Sequence, residues 1–107
     1  MEKAKRKRRN DRKHAVYSVV NILTGDTYLG ITVCQGAAVQ RSLKIRWQKH
    51  VRRALTENKN WAMCIAIREW GAECFDIELL EIVRGRKPAH QRERELIRAI
   101  QPTLNTF

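Results

Sequence analysis

Two alternating runs separated by a short turn constrain this chain more than any other feature. The stretch from Ala15 to Thr32 reads AVYSVVNILTGDTYLGIT. Val16, Ser18, Val20 and Ile22 alternate with Tyr17, Val19 and Asn21. After the turn, Leu29, Ile31 and Val33 alternate with Tyr28, Gly30 and Thr32. A strict period of two in Val, Ile, Tyr and Thr is the pattern of a half-buried strand. Thr24-Gly25-Asp26 supplies turn chemistry, with Gly25 free to take positive φ. The stretch predicts a β-hairpin. An even loop puts Tyr17, Tyr28 and Gly30 on one face, and an odd loop separates the tyrosines, because one slip of register flips every side chain. A tight hairpin sets the tyrosines about four residues, ~13 Å, apart along the sheet, so that their rings meet only by leaning across Gly30. Two ordinary amphipathic tyrosines on a sheet face fit the same residues.

The chain has 107 residues, enough for one domain with a modest core. Its net charge of +11 implies a polyanionic partner, most simply nucleic acid. No long apolar run or targeting segment favours an anionic membrane instead, so the sequence predicts no membrane partner and an intracellular protein of the cytoplasm or nucleoid. Cys34, Cys64 and Cys74 are odd in number and lack CxxC spacing, and His14, His50 and His90 do not cluster with them. They read as free, mostly buried thiols and not as a zinc site or a disulfide frame.

Residues 1–13 hold eight Lys or Arg against Glu2 and Asp11, a net +6, and the remaining residues hold fourteen against nine, a net +5. Such a segment cannot bury a core and reads as a disordered arm whose Lys5, Arg6, Lys7, Arg8 and Arg9 contact phosphates. The domain proper is expected over 14–107. Cys34 to Gln40 reads as a small-residue loop containing Gly36. A helix is predicted from about Ser42, as N-cap, to Leu55, with Leu43, Trp47, Val51 and Ala54 as its apolar stripe. Arg46 and His50 lie one turn apart on an edge of that stripe, among Lys44, Lys49, Arg52 and Arg53, and also fit a solvated basic face. Trp61 to Trp70 predicts a short second helix that is apolar almost all round and capped by Gly71, with its tryptophans in the core. Phe75, Ile77 and Leu79 predict a third strand, and the shift of phase to Leu80 and Ile82 predicts a bulge. After a basic loop, Pro88 to Ile100 predicts a last helix with Ala89, Leu96, Ile97 and Ile100 inward. Glu93 falls within that stripe. A carboxylate there costs several kcal/mol, roughly, unless it is paired, so an Arg partner and a metal fit equally.

These positions together resemble the GIY-YIG endonuclease family. Ala15-Val16-Tyr17 stands for the first motif, and Tyr28-Leu29-Gly30 for the second. Lys44-Ile45-Arg46-Trp47-Gln48-Lys49-His50 resembles the arginine helix with a histidine one turn on. REWGAECFDIELLEI resembles the middle helix, glycine and third strand, and Glu93, Leu96, Ile97, Pro102 and Asn105 match the terminal pattern. The likeness runs over roughly 14–107 and is greatest to the nuclease module of phage-type homing endonucleases. Ala15 departs from the usual glycine, and the loop before the arginine helix is longer than in the family.

The resemblance implies an α+β fold, a small three-stranded antiparallel sheet flanked by helices, and metal-dependent hydrolysis of DNA phosphodiesters. In that reading Glu93 holds Mg²⁺ or Mn²⁺, and Tyr17 is the general base that activates water, as a phenolate favoured by Arg46, or positions the attacking water. Arg46 stabilises the phosphate, Tyr28 orients water or phosphate, and His50 assists proton transfer or binds phosphate. Asn105 buttresses the site, Gly30 keeps its floor open, and Lys44, Lys49 and Arg53 contact DNA. The rival expectation is a non-catalytic nucleic-acid-binding module of the same fold, and a third is action on RNA.

Overall fold

The computed structural model describes residues 12–34, 38–57 and 59–105. The arm residues Lys5 to Arg9 and Gly36 of the expected loop lie outside them. Among the described residues the chain is α+β, a three-stranded antiparallel sheet with three helices. In order, the elements are β1 (Lys13–Asn21), β2 (Thr27–Val33), α1 (Val39–Thr56), α2 (Ala62–Trp70), a 3₁₀ turn (Ala72–Cys74), β3 (Phe75–Arg84) and α3 (Arg86–Ile100).

The sheet order is β2-β1-β3, so the first strand is the central one. That position explains its composition. Ala15, Val16, Tyr17 and Val19 are fully buried, and Ser18 on the opposite face is nearly so. The hairpin pairs Tyr17 with Gly30 and Val19 with Tyr28 around an even loop. The tyrosines therefore share a face, and they are offset diagonally by two residues rather than the four expected. Gly25 takes φ +82 in the turn, where Asn21 Oδ1 accepts the backbone N–H of Leu23 at 2.9 Å and of Thr24 at 3.3 Å. On the other side of β1, Val16 pairs with Glu81 and Tyr17 with Leu79, which leaves Leu80 as the extra residue of a bulge. Ile77 and Leu79 thus point to the tyrosine face, and Glu81 and Val83 to the other. The sheet reaches past the expected arm boundary at residue 13. Lys13 opens β1 and its carbonyl accepts from Cys34 N, while Arg12 O accepts from Gly85 N.

Helices α1 and α2 cover the tyrosine face. The core there joins Ala15, Tyr17, Val19 and Phe75 to Leu43, Ala54, Met63, Cys64 and Ile67. Helix α1 begins three residues before Ser42, at Val39 after Ala38, without a capping side chain. Ser42 N–H closes the first turn on Ala38 O, and Val39 packs against the core, so burial sets the start where capping was expected to. Helix α2 is more exposed than expected. Met63, Cys64 and Ile67 face inward, but Trp61, Ile65 and Trp70 are exposed. A nine-residue helix lying on one side of a sheet buries one stripe only. Gly71, at φ +88, ends it as expected.

Helix α3 touches all three strands, β2 most of all, and Arg92 anchors it to Glu81 of β3 through Nε at 3.0 Å. It starts at Arg86, after Gly85 at φ +96, and Pro88 sits one turn in, where its missing N–H has no helical acceptor anyway. Ala89 is fully buried and Leu96 and Ile97 half-buried, but Ile100, expected inward, is exposed. By that last turn the helix has reached the hairpin turn, and Ile100 lines a groove with Thr24 to Thr27. Gln101 then takes a left-handed turn, Pro102 is buried, and Leu104 enters the core beside Tyr17. The three cysteines are free, with Cys34 and Cys64 buried.

Candidate functional site

The site is built where the hairpin diagonal meets the middle of α1. Tyr17 and Tyr28 lean toward each other, ring centroids 6.3 Å apart. Gly30 makes this possible through space rather than backbone freedom. A Cβ there would come within 2.7 Å of Tyr17 Oη and 2.8 Å of Tyr28 Cε2. The floor that Gly30 was expected to keep open is therefore filled by the two rings.

From α1, His50 comes down onto this pair. Its Nε2 lies 2.9 Å from Tyr17 Oη, and its ring meets that of Tyr28 edge-on at 5.2 Å. Its burial excludes the solvated basic face as an account of this residue. Burial first, then the nearby charges of Arg46 and Arg53, push its pKa down to about 4. The ring is thus neutral at pH 7, and in the tautomer protonated at Nδ1 its Nε2 accepts the Tyr17 hydroxyl proton. Arg46, one turn earlier, donates from Nε to the same Tyr17 oxygen at 3.4 Å, a long contact.

The protonation of Tyr17 runs against expectation. Arg46 does lower its pKa, through the hydrogen bond and through charge, but burial outweighs both, and the phenol is held well above its usual range. Tyr17 has no exposed surface, whereas Tyr28 is half-buried and lines the adjoining cleft. Burial raises Tyr28 as well.

Glu93 stands differently. Its side chain is 21% exposed and meets His90 Nδ1 at 3.8 Å, one turn away on its own helix. The arginine partner one reading expected is not found among the described residues, since Arg92 is committed to Glu81 and Glu95. Burial raises the carboxyl pKa, with His90 and Arg94 opposing. Its charge acts on both Tyr17 and Tyr28, raising each, so it stands within electrostatic reach of the tyrosine pair.

Among the described residues no group of three or more His, Cys, Asp or Glu could enclose a metal ion. A hard cation held by one carboxylate takes its remaining oxygens from water and phosphate, as Mg²⁺ commonly does. A partly desolvated carboxylate loosely paired with His90 is a suitable donor for such an ion.

Asn105 closes the far side. Its Oδ1 accepts from Leu29 N at 2.8 Å and its Nδ2 donates to Leu29 O at 2.9 Å. It acts on the backbone next to Tyr28 and Gly30, not on the tyrosines. Two clefts flank the site. One, of about 380 Å³, is lined by Tyr28, Arg46, His50, Arg53, Trp61 and Asn105, with Met63, Cys64 and Leu104 at its base. The other, of about 580 Å³, is lined by Arg46 with Arg41, Lys49, Ser42 and Thr32. Arg46 belongs to both. Lys44 lies with Gln40 and Gln48 in a more open groove on the same stretch of α1, which shares Arg41 and Ile45 with the larger cleft. Of the expected DNA contacts, Lys49 and Arg53 thus border the site, and Lys44 lies outside it. The sequence reading missed Arg41, which entered no motif, and placed Trp61 in the core.

No described helix is long and apolar enough to cross a membrane. Compared with protein-family models, curated proteins and solved structures, the chain finds no significant match in any of the three.

Proposed function

We propose that this chain is a metal-dependent endonuclease that hydrolyses DNA phosphodiesters, of the GIY-YIG kind its motifs resemble. The observation that carries the reading is the meeting of Tyr17, Tyr28, Arg46 and His50 in one contacting cluster, with Glu93 in electrostatic reach and, among the described residues, lacking an arginine partner. Those residues come from four separate elements. A sheet and a helix need only apolar side chains to pack, so a converging phenol, guanidinium and imidazole ask for another explanation.

The chemistry follows from the proton positions. Arg46 lies between the two clefts and is the natural seat of the scissile phosphate, with its planar N–H groups turned to the phosphate oxygens. Its long contact with Tyr17 is readily exchanged for a phosphate, and that movement uncovers the Tyr17 oxygen. A water aligned by Tyr28 then gives its proton to Tyr17 as Tyr17 passes its own to neutral His50. The water oxygen bonds to phosphorus, the bond to the sugar oxygen breaks, and the departing oxygen takes a proton from solvent. A divalent ion on Glu93 would supply positive charge for the phosphate oxygens during that change. The basic residues of α1 and the arm attract the polyanion.

The test is plasmid cleavage in Mg²⁺ by the wild type, by Glu93→Ala and by the wild type with EDTA, with binding to the same DNA measured alongside. Cleavage by the wild type alone, with binding kept by Glu93→Ala, is expected. One observation favours a second reading, a non-catalytic nucleic-acid-binding module. The complete burial of Tyr17 suits a core hydrogen bond to His50 as well as it suits a relay. Tight binding without cleavage in Mg²⁺ or Mn²⁺, on DNA and RNA alike, establishes that reading instead.

A further inference from the structure

The 380 Å³ cleft carries a feature the proposed hydrolysis does not use. Trp61 stands at its rim, 41% exposed, on the residue that opens α2. An indole left this open forgoes much of the burial it could gain. Its position is nevertheless well fixed. Ile65 N–H bonds to Trp61 O, and Arg68 bridges the connection before it, donating from Nη1 to Ala54 O at 2.9 Å and from Nη2 to Lys59 O at 2.8 Å. Two cations stand over the ring, Arg53 Cζ at 5.4 Å and Lys59 Nζ at 4.8 Å from its centroid. Among the described residues, the ion pair each makes is a contact near 4 Å with Glu57, which holds it weakly.

The cleft thus offers an aromatic rim under two weakly held cations that a stacking base would displace toward its phosphate, an apolar base of Met63, Cys64 and Leu104, and Tyr28, His50 and Arg46 within. Its volume lies near the lower end of small-molecule pockets, about 300–1,000 Å³, which suits one nucleotide and not a double helix. A flat base stacks on an indole and its phosphate meets cations, and this works for any base because each has a π face. A paired base is shut inside its duplex and cannot reach such a shelf.

We infer that Trp61 is a stacking shelf for one unpaired nucleobase adjoining the phosphate at Arg46, so that the preferred substrate is DNA that is single-stranded or locally unpaired at the cut. The placement of the phosphate rests on the nuclease reading. The shelf has its own readout in binding. The larger cleft, with Arg41, Lys49 and Arg46 beside Ser42 and Thr32, then follows the backbone away from the site.

The experiment measures binding of a short labelled single strand and of a fully paired duplex by fluorescence anisotropy, for the wild type, Trp61→Ala and Trp61→Phe. Circular dichroism checks that each variant is folded. Cleavage of a duplex with a central unpaired bulge is compared with that of its fully paired counterpart in Mg²⁺. Trp61→Ala is expected to weaken single-strand binding about 5- to 150-fold, with duplex binding within about 2-fold and Trp61→Phe close to wild type. The bulged duplex is expected to be cut faster, and Trp61→Ala to remove that preference. Single-strand affinity unchanged in Trp61→Ala, or lost equally for both DNAs, overturns the shelf even if the enzyme cuts. Absence of any cleavage with single-strand binding still dependent on Trp61 overturns the nuclease reading and leaves the shelf standing.

Discussion

Arg46 and His50 on α1 and Glu93 on α3 all act on Tyr17, but the two helices leave their polar groups in different states. On α1 the groups satisfy one another. The Tyr17 hydroxyl is held between His50 and Arg46, burial keeps the phenol protonated, and it keeps the imidazole neutral. On α3, the Glu93 carboxyl sits in partly desolvated surroundings that raise its pKa, with His90 as a loose partner. A group that is already bonded contributes to folding through its partners. A group that is partly desolvated and weakly paired is where a protein can bind something else. Mutation on the α1 side is therefore expected to cost stability as well as activity, and on the α3 side activity alone.

The largest effect expected is on cleavage. Glu93→Gln should reduce it to background while leaving urea stability within about 0.5 kcal/mol, because no strong pair is broken. A stability loss as large as the activity loss would place Glu93 among the folding residues. Arg46→Ala should lower the cleavage rate about 10²- to 10³-fold, the scale of a charge-stabilising donor, and Arg46→Lys should recover little of it, since a lysine lacks the planar fork. Single-turnover kinetics on a short duplex read both.

The next effect is one of pH. The folded pKa of His50, about 4, lies below the ordinary value of 6.5. The unfolded chain thus binds the proton first, and stability rises with pH between roughly 4 and 6.5. His50 alone should make the protein about 3 kcal/mol less stable at pH 4 than at pH 7. Urea melts at the two values, repeated on His50→Gln, isolate that share. A flat profile would mean that the imidazole is solvated.

Smaller changes probe the packing. Tyr17→Phe leaves the buried His50 nitrogen without its donor and should cost about 1–3 kcal/mol. Gly30→Ala forces the two rings apart and should cost about 1–3 kcal/mol with cleavage impaired as well. The smallest effect is set by Arg92→Ala, the neighbour of Glu93 on α3. It should leave cleavage unchanged and stability nearly so, as its contacts are exposed. A loss of cleavage there would dissolve the contrast between adjacent residues.

Much of the frame was legible from residue patterns. The hairpin, its turn at Gly25, the glycine stop after α2 and the bulge at Leu80 each leave a local mark, because a period of two, a positive φ and a phase shift are properties of a few consecutive residues. The even loop settled which face Tyr28 takes, and that depends on a register no single strand encodes. Less legible was whatever depends on the third dimension. The burial of His50 follows from Tyr17 and Tyr28 facing it across the sheet. The exposure of Trp61 and Trp70 follows from α2 having one partner surface. The rise in the Tyr17 pKa reflects burial defeating a cation, a balance of magnitudes that residue types alone do not set. Glu93 was found through its place in an apolar stripe, but its weak pairing appears only once Arg92 is seen to be bound to Glu81.

The segment after α3 has a consequence for self-association. Strand β2 is an edge of the sheet, and an open edge is a template on which another chain can pair. Here Leu104 N–H takes Thr27 O, and the Asn105 amide takes both the N–H and the C=O of Leu29, as a neighbouring strand would. Three backbone groups on that border are thereby occupied by the protein's own chain. The clasp covers that part of the edge, and removing it by ending the chain at Gln101 is expected to raise aggregation through the β2 edge, read by light scattering.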